Sequence, residues 1–422
     1  MKIPFYYAGT TTELELPDSA QIDLYSSPSE RLAECDDDHW LKHGPLPDSM
    51  VEFLDAADDL VVIVNDHFRP TPTETILKRL LATGKLNQAR FLVATALHPH
   101  PRQNLKLIFG DLLDDLRMRV SVHDAFDMNE LVPFGTKESR VNLNRLIAEV
   151  DYILTIGSVE PHYFAGFTGG RKIILPGCAA FEDIQANHAL AVSELAQPLA
   201  TTGNPVWEDI QARSSFIDGK QRYTIQVVSD HRGRLLFGAA GDWDDAYQEA
   251  CDFTQRIFAH AVAEQYDLAI AVVYPPLDRN LYQLQKSYEN LQTVVRDGGD
   301  ILLVSACSDG VGDERFLKIA EAEARGIMIP EDDVSATMGI HKVRRTHRLA
   351  QRLNLHLISQ LTTKQLEYLP IAAHSNLKET ITSLVNKPGN NCRVAVVQDS
   401  ATQVLCASAS DTADPKTSME EK

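Results

Sequence analysis

The stretch "LVVIVNDHFRPTPTETILKRLLATGK", residues 60–85, contains the pattern that decides the fold. It opens with the apolar run 60–65, which is typical of a parallel strand buried on both faces. A polar turn with two prolines follows, and we expect a helix to start near Thr73. The apolar residues after that point have helical spacing: Ile76, Leu77, Leu80 and Leu81. A buried strand followed by such a helix indicates a β-α-β unit.

Comparable apolar runs recur along the chain, at 91–97, 152–159, 268–274, 301–306, 355–359 and 393–398. They predict an α/β protein of two domains, each with parallel β-α-β units, and an active site in the cleft between them. A long helical pattern at 242–266 precedes a new strand–helix series, in which the helix after strand 268–274 should end at Gly298-Gly299. We therefore place an N-terminal domain at 1–265 and a C-terminal domain at 266–400. A polar tail follows at 401–422, and its end should be disordered.

Composition and charge limit the function classes. The chain has 422 residues and a net charge of −19, which opposes binding to nucleic acid or to an anionic membrane surface. An anionic small substrate would need a local basic pocket. The six cysteines are scattered without a C-x-x-C pair, which suits a reducing compartment. No leader-like or membrane-length apolar run occurs, so we expect a cytoplasmic protein.

Polar clusters follow four of the predicted strands, where open α/β sheets bind their ligands. The first two are Asp66 with Arg69, and His98 with His100. Arg69 suits a carboxylate or phosphate, although a helix cap with a surface arginine is the plainer interpretation. The two histidines could be a metal pair, an acid/base pair or ordinary loop residues.

The third cluster is the glycine-rich stretch "PHYFAGFTGGRK", residues 161–172, with a histidine further on. Its glycines suggest an anion-binding loop with Lys172 as the phosphate partner. The fourth cluster lies at the start of a predicted helix and would aim an amide and an ammonium group at one ligand, unless it is simply a solvated helix end. The candidate residues of these two clusters are His162, Gly169, Gly170, Lys172, His188, Tyr282, Gln283 and Lys286.

Taken together, the four clusters resemble the nickel-pincer-dependent lactate racemase family. The third resembles that family's P-H-x-x-A-G-[FY]-[ST]-G-G-x-K segment, the first its D-x-x-R-P-T-P segment and the fourth its Y-Q-x-x-K segment. The resemblance implies a nickel-pincer nucleotide (a pyridinium-3,5-bisthiocarboxylate mononucleotide of nickel) attached to Lys172, with His188 as nickel ligand. It further implies His98 and His162 as acid/base residues and cofactor-biosynthesis proteins as partners. The N-terminal domain would then be the catalytic and cofactor-anchoring one.

The chemistry is consistent with this resemblance. A small 2-hydroxy acid racemises only through a planar C2, and no amino-acid side chain accepts hydride, so an organic cofactor must. A histidine on each face would move the hydroxyl proton. Arg69, Tyr282, Gln283 and Lys286 would hold the substrate, while Asp66, Arg69, Gly169 and Gly170 could instead grip the nucleotide.

Two departures from the family pattern bear on the substrate. Phe68 stands where the family's first motif usually has threonine, and His67 where the lactate enzyme has arginine. Both flanks of His98 also differ. We therefore expect a 2-hydroxy acid other than lactate, either bulky and apolar at Phe68 or polar at His67 and His100.

Three alternatives remain open from the residues alone. A metal hydrolase could use His98, His100, His162 and His188 around zinc, but it leaves Lys172 and the glycines without a role. A non-catalytic sugar-phosphate binder would keep the glycine-rich loop and have no turnover. A relative of the racemases could catalyse another hydride-based step on a hydroxy acid.

Overall fold

The structure, a computed structural model, describes residues 1–69, 71–98, 104–312, 314–329, 339–387 and 391–408. Contacts divide the chain into two compact units. Unit 1 comprises Met1–Tyr25, Ala259–Gly312 and Thr346–Lys422, and unit 2 comprises Ser26–Phe258 and Asp313–Arg345. Each unit has a six-stranded sheet in which parallel pairing predominates. The predicted two-domain α/β architecture is confirmed.

The sheet of unit 2 contains five parallel strands and one antiparallel edge strand. Its order is Leu235–Gly241, Gln221–Ser229, Tyr152–Ser158, Leu60–Asn65, Arg90–Ala94 and Val120–Val122. The strand Leu60–Asn65, near the centre of the sheet, is buried along almost its whole length because its alternate residues face two different cores. Val61 and Ile63 pack into one core, and Val62 and Val64 pack into the other.

Helices and two small hairpins surround this sheet. The hairpins pair Leu131–Phe134 with Val141–Asn144 and Pro161–His162 with Gly166–Phe167. The α-helices before the crossing to unit 1 are Pro28–Arg31, Asp48–Ala56, Thr73–Leu81, Leu105–Phe109, Leu113–Leu116, Arg145–Glu149, Phe181–Ala189, Pro205–Ser214 and Trp243–Phe258. Glu314–Ala324 and the start of Ile340–Ala350 belong to the same unit. The second of these supplies residues discussed below.

The sheet of unit 1 is parallel throughout. Its order is Ile371–His374, Asn354–Ile358, Val295–Val304, Tyr266–Val272, Arg393–Val397 and Gln21–Tyr25. The α-helices Leu281–Leu291 and Leu377–Asn386 belong to this unit, together with a hairpin of Lys2–Tyr7 and Thr10–Glu15. Among the described residues, no helix is long and apolar enough to cross a membrane.

The chain passes between the units more often than the sequence suggests. One passage, between Phe258 and Ala259, lies close to the predicted boundary. Gln21–Tyr25, however, pairs with Arg393–Val397 in unit 1, and Asp313–Arg345 joins unit 2. The units are therefore not the two continuous segments 1–265 and 266–400. This pairing was not predictable from local pattern, because parallel partners can be far apart in the chain.

Two predicted helices are shorter than expected. The helix after strand Tyr266–Val272 ends at Leu291 rather than at Gly298-Gly299, because the chain re-enters the sheet at Val295. The pattern at 242–266 gives a helix only to Phe258, since Ala259–Val262 forms a strand paired with Val404–Ala407. The first residues of the predicted tail 401–422 thus include a paired strand, Val404–Ala407, and residues 409–422 lie outside the described part of the chain.

Candidate active site

The candidate site lies where the strand order of unit 2 reverses. The strands that follow Leu60–Asn65 in the chain, Arg90–Ala94 and Val120–Val122, lie on one side of it in the sheet. Tyr152–Ser158, the next sheet strand after these, lies on its other side. Ligands of open α/β sheets bind beyond strand ends at such a point. The Asn65 amide donates to Ser158 Oγ at 3.3 Å and so joins the two strand ends. The cavity here is lined by Asn65, Asp66, Arg69, Ala94, Thr95, Ala96, His98, Ser158, His162, Thr168, Gly169, Lys172, Ile173, Pro176, Gly177 and His188.

His98 forms a dyad with Asp66 at this cavity. The two side chains are 2.6 Å apart between His98 Nδ1 and Asp66 Oδ2. Burial tends to raise the pKa of Asp66, but the charge and hydrogen bond of His98, the charge of Arg69 and the Phe68 N–H together hold it below its usual value. An ionised carboxylate only accepts hydrogen bonds, so Nδ1 carries the hydrogen. Nε2 of neutral His98 is therefore able to accept a proton.

His162 has the opposite arrangement. Its Nδ1 accepts the backbone N–H of Ala165 at 3.2 Å, so the hydrogen of the neutral ring lies on Nε2. The ring is buried, with 7% of its surface exposed. The small hairpin Pro161–His162 and Gly166–Phe167 holds it beside the cavity. The cavity is therefore lined by two imidazoles whose neutral tautomers differ, with a lone pair on Nε2 of His98 and a hydrogen on Nε2 of His162.

Arg69 is held by a carboxylate that the sequence analysis did not single out. Its NH1 lies 3.1 Å from Glu160 Oε2, and the Glu160 side chain is buried. The backbone of Glu160 is fixed in turn, since its N–H donates to Thr168 Oγ1 at 2.9 Å and its carbonyl accepts from Thr168 N–H at 2.8 Å. A guanidinium has five N–H donors, so this ion pair leaves donors of Arg69 for an anionic ligand.

The glycines before Lys172 are required by protein packing. A Cβ on Gly169 would lie 2.6 Å from Gln226 Oε1, and one on Gly170 would lie 2.7 Å from the Tyr247 ring. Both have positive φ values, 77° and 52°, which suit glycine. The Gly170 N–H donates to Gln226 Oε1 at 3.1 Å. Contacts with protein neighbours thus account for the glycine at position 170. Gly169 has such contacts and also lines the cavity.

Lys172 lies on the short 3₁₀ helix Gly170–Ile173 and lines the cavity. Its Nζ is 5.8 Å from the centre of the Phe164 ring. The neighbouring Arg171 is bound to Asp244 at 3.0 Å and to Asp218 at 2.9 Å. These contacts anchor the helix that presents the amine of Lys172.

His188 reaches the same cavity from helix Phe181–Ala189. Its Nδ1 donates to the Ile184 carbonyl at 2.8 Å, which leaves the lone pair on Nε2. Burial and then the positive charge of Lys172 lower the pKa of His188 to about 4. A neutral imidazole with its other nitrogen fixed by a backbone carbonyl is the form that binds metal ions.

The remaining candidates belong to the other unit or cannot be placed. Tyr282, Gln283 and Lys286 are on helix Leu281–Leu291 of unit 1, whose N-cap Asn280 accepts the Gln283 N–H at 3.2 Å. His100 lies outside the described residues. Within the described part of the chain, no group of three or more His, Cys, Asp or Glu side chains could hold a metal ion, so the zinc hydrolase has no support there.

Aromatic residues and a distant histidine were also missed. The Phe164 ring contacts the rings of His162, His188 and His341, with centroids 4.5, 5.2 and 5.6 Å away. Tyr163 stacks on His162 at 5.2 Å. Tyr163 and Phe164 lie inside the quoted glycine-rich stretch and could have been singled out there. No local signal connects His341 to this site.

The burial of His123 predicts a loss of stability at acidic pH. Burial lowers the pKa of His123 to about 4, whereas an unfolded histidine has a pKa of about 6.5. Between these values the unfolded chain binds a proton that the folded chain does not, so the free energy of unfolding should fall by about 3 kcal/mol as the pH decreases. Urea unfolding between pH 7 and 4.5 should show a weaker pH dependence for His123→Gln. The half-buried His231 supplies the control, and equal slopes for His123→Gln and wild type would contradict the prediction.

Family models match both halves of the chain. The model of the lactate racemase N-terminal domain matches residues 7–199, and that of the lactate racemase C-terminal domain matches residues 264–405. The matched segments include every candidate residue of the site. The residues that support the glycine-rich turn and its short helix lie between the two segments: Asp218, Gln226, Asp244 and Tyr247.

Two relatives that are similar in sequence agree with these matches. Lactate racemase of Lactiplantibacillus plantarum is 32% identical over 280 residues, or 64% of this chain and 65% of the relative. That of Thermoanaerobacterium thermosaccharolyticum is 32% identical over 284 residues, or 63% and 64%. The alignments thus span slightly less than two thirds of each relative.

Two solved structures share the fold. The lactate racemase apoprotein of Thermoanaerobacterium thermosaccharolyticum superposes with a TM-score of 0.79 at 22% identity and covers 96% of this chain and 100% of that one. A protein from Thermotoga maritima has a TM-score of 0.64 at 17% identity, with 85% and 96% covered. From the two domain matches and these relatives we conclude that the chain belongs to the lactate racemase family.

Proposed function

We propose that the protein is an isomerase that racemises or epimerises a 2-hydroxy acid at C2. The observation that carries the proposal is that His98, His162, Lys172 and His188 line one cavity at the switch point of the unit 2 sheet. Two lactate racemases are among its relatives, so lactate is the reference substrate. The reaction needs a proton acceptor, a proton donor and a hydride acceptor at one carbon.

The donor set is suited to the nickel-pincer nucleotide of the family. Lys172 offers a primary amine, which is able to form the thioamide link, and His188 offers a neutral imidazole Nε2 as a nickel ligand. Both line the same cavity. Nickel with one imidazole and sulfur donors is a reasonable coordination. When bound, the cofactor would take the C2 hydrogen as hydride and return it to either face of the planar keto acid.

The two histidines move the hydroxyl proton in this proposal. Nε2 of His98 accepts the proton as the hydroxyl becomes a carbonyl, and the Asp66 carboxylate stabilises the resulting imidazolium. When the carbonyl is reduced from its other face, His162 would donate a proton from Nε2 of its imidazolium form and return to the neutral ring, so its Nδ1 contact with the Ala165 N–H would open during turnover. The reverse direction uses them in the opposite order. Proton transfer by positioned side chains typically contributes about 10²–10⁴-fold to a rate.

Substrate and cofactor anchoring are assigned to the other matched residues. Arg69, with donors beyond those used by Glu160, would bind a carboxylate or the cofactor phosphate. Asp66 and Gly169 would shape the cofactor side of the cavity, and Gly170 would hold the adjoining backbone turn in place. Tyr282, Gln283 and Lys286 are proposed as substrate-binding residues because they match the family's Y-Q-x-x-K segment. Holding the carboxylate would keep the keto acid bound between the two half-reactions.

The test is intact-mass and metal analysis of protein made in a host that supplies the cofactor. We expect a covalent adduct mapped to Lys172 and about one nickel per chain, as one imidazole–sulfur site implies. A substrate deuterated at C2 should keep its label during racemisation in ordinary water, because a transferred hydride does not exchange with solvent. An unmodified Lys172 in that host, or loss of the deuterium, would contradict the mechanism.

The residues beside the dyad predict a substrate other than lactate. Phe68 lies between two imidazoles, with ring centroids 4.2 Å from His67 and 4.7 Å from His98. An aromatic surface next to the proton acceptor favours a larger or more apolar side chain at C3 of the substrate. The check is kcat/KM across lactate, phenyllactate, malate and aldonic acids, with Phe68→Thr as the matched variant that restores the usual family residue. Lactate as the best substrate of the wild type would contradict this prediction.

A further inference from the structure

The segment Gly339–Arg345 reaches the candidate site from far along the chain. Contacts place this segment in unit 2 with the cavity. Arg345 NH1 donates to the carbonyls of Ala191 at 2.7 Å and Ala196 at 3.2 Å, just beyond the helix that presents His188. The side chains of Lys342 and Arg345 both lie over the Tyr163 ring, at 4.9 and 5.8 Å from its centre. The segment is therefore fixed against the residues next to both functional histidines.

His341 is the residue of this segment that contacts His188 and the tyrosine stacked on His162. It is buried, with 7% of its surface exposed. Its ring lies 5.6 Å from that of His188, and its Nε2 lies 3.4 Å from the Tyr163 hydroxyl. Tyr163 in turn stacks on His162 with an interplanar angle of 23°. One side chain thus contacts the candidate nickel ligand directly and one acid/base histidine through a single intermediate.

We infer that His341 is a positioning residue that sets the ring of His188 by packing and the ring of His162 through the Tyr163 hydroxyl. The inference rests on the proposed function for the roles of His162 and His188, but the contacts of His341 do not depend on them. Its two contacts are chemically different. The one to His188 needs a flat ring, and the one to Tyr163 needs a hydrogen-bonding nitrogen. Substitutions can therefore separate them.

Two variants of the holoprotein test the His188 contact and the Tyr163 contact of His341 separately. His341→Phe keeps a ring and removes the hydrogen bond, while His341→Gln keeps a hydrogen-bonding group and removes the ring. We expect His341→Phe to lower kcat about tenfold, the size of one hydrogen bond, with nickel release to a chelator unchanged. His341→Gln should release nickel several-fold faster and lose less kcat.

Tyr163→Phe should lower kcat as much as His341→Phe does, and the variant that carries both changes should be no slower than either single variant. His231→Gln serves as control.

Histidine NMR of the apoprotein provides a readout without cofactor. The ring ¹⁵N signals of His162 should shift in Tyr163→Phe and His341→Phe, while those of His98 stay in place. The inference would be overturned if the His162 signals did not move. It would also be overturned if His341→Phe and His341→Gln lost kcat and nickel equally and only in proportion to their loss in melting temperature. Wild-type protein that carries neither adduct nor nickel would instead contradict the proposed function, and the NMR comparison would still decide the role of His341.

Discussion

Lys172→Ala protein from the cofactor-supplying host should carry no adduct and show no racemase activity, a larger effect than any other single change proposed for this site. The reason is chemical. Lys172 is the lysine among the residues that line the described cavity, and its amine is buried beside Phe164. Among the described residues, no other side chain that lines the cavity offers a primary amine for a thioamide link. Intact mass and peptide mapping measure the adduct, and chiral chromatography measures the turnover.

Three further variants make this result specific. Lys172→Arg keeps the positive charge, but its guanidinium is a poor acyl acceptor, so it should also lack the adduct. His188→Ala should keep the adduct and lose nickel, because His188 offers a metal ligand but no link. Lys78→Ala removes a half-exposed lysine that pairs with Glu74 on a surface helix, and it should behave as wild type. An adduct that persists in Lys172→Arg would place the attachment elsewhere.

Replacing either His98 or His162 with asparagine should slow racemisation in both directions by about 10²–10⁴-fold, the usual contribution of a positioned acid or base. In the proposed mechanism each turnover uses both residues, and the equilibrium constant between mirror images is one, so both directions should slow equally. Asparagine is chosen because it keeps a polar side chain at each position.

Single-turnover trapping of the keto acid would distinguish the two roles. With one histidine missing, only the enantiomer whose hydroxyl faces the remaining histidine can lose its proton. The two variants should therefore form trapped keto acid from opposite enantiomers. His231→Asn, which changes a histidine next to Ser27 and away from the cavity, should resemble wild type. The two-base assignment would be wrong if either variant racemised at a near-normal rate or if both used the same enantiomer.

Local pattern was sufficient to predict the centre of the unit 2 sheet and to group those candidate residues that line its cavity. The run at 60–65 forms the predicted strand, and its helix begins at Thr73. Because parallel strands end at one edge, residues that follow different strands come together there. This is why Asp66, His98 and His162 could be grouped before their positions were known.

Features that depend on distant partners were not predictable. Glu160 looks like an ordinary loop acid until the fold brings it to Arg69, and His341 becomes part of the site only because its segment packs on Tyr163 and His188. The glycines before Lys172 were expected to serve a ligand. Their close neighbours are Gln226 and Tyr247, which lie on a strand and a helix that only tertiary structure places there.

The exchange of segments between the two units has a consequence for biosynthesis. As the chain leaves the ribosome, strand Gln21–Tyr25 has no partner until Arg393–Val397 has been translated, and an unpaired strand edge is prone to aggregation. His188 and His162 likewise emerge long before His341. The nascent protein therefore passes through a long interval in which the candidate cavity lacks one supporting segment, and a chaperone would be most useful during that interval.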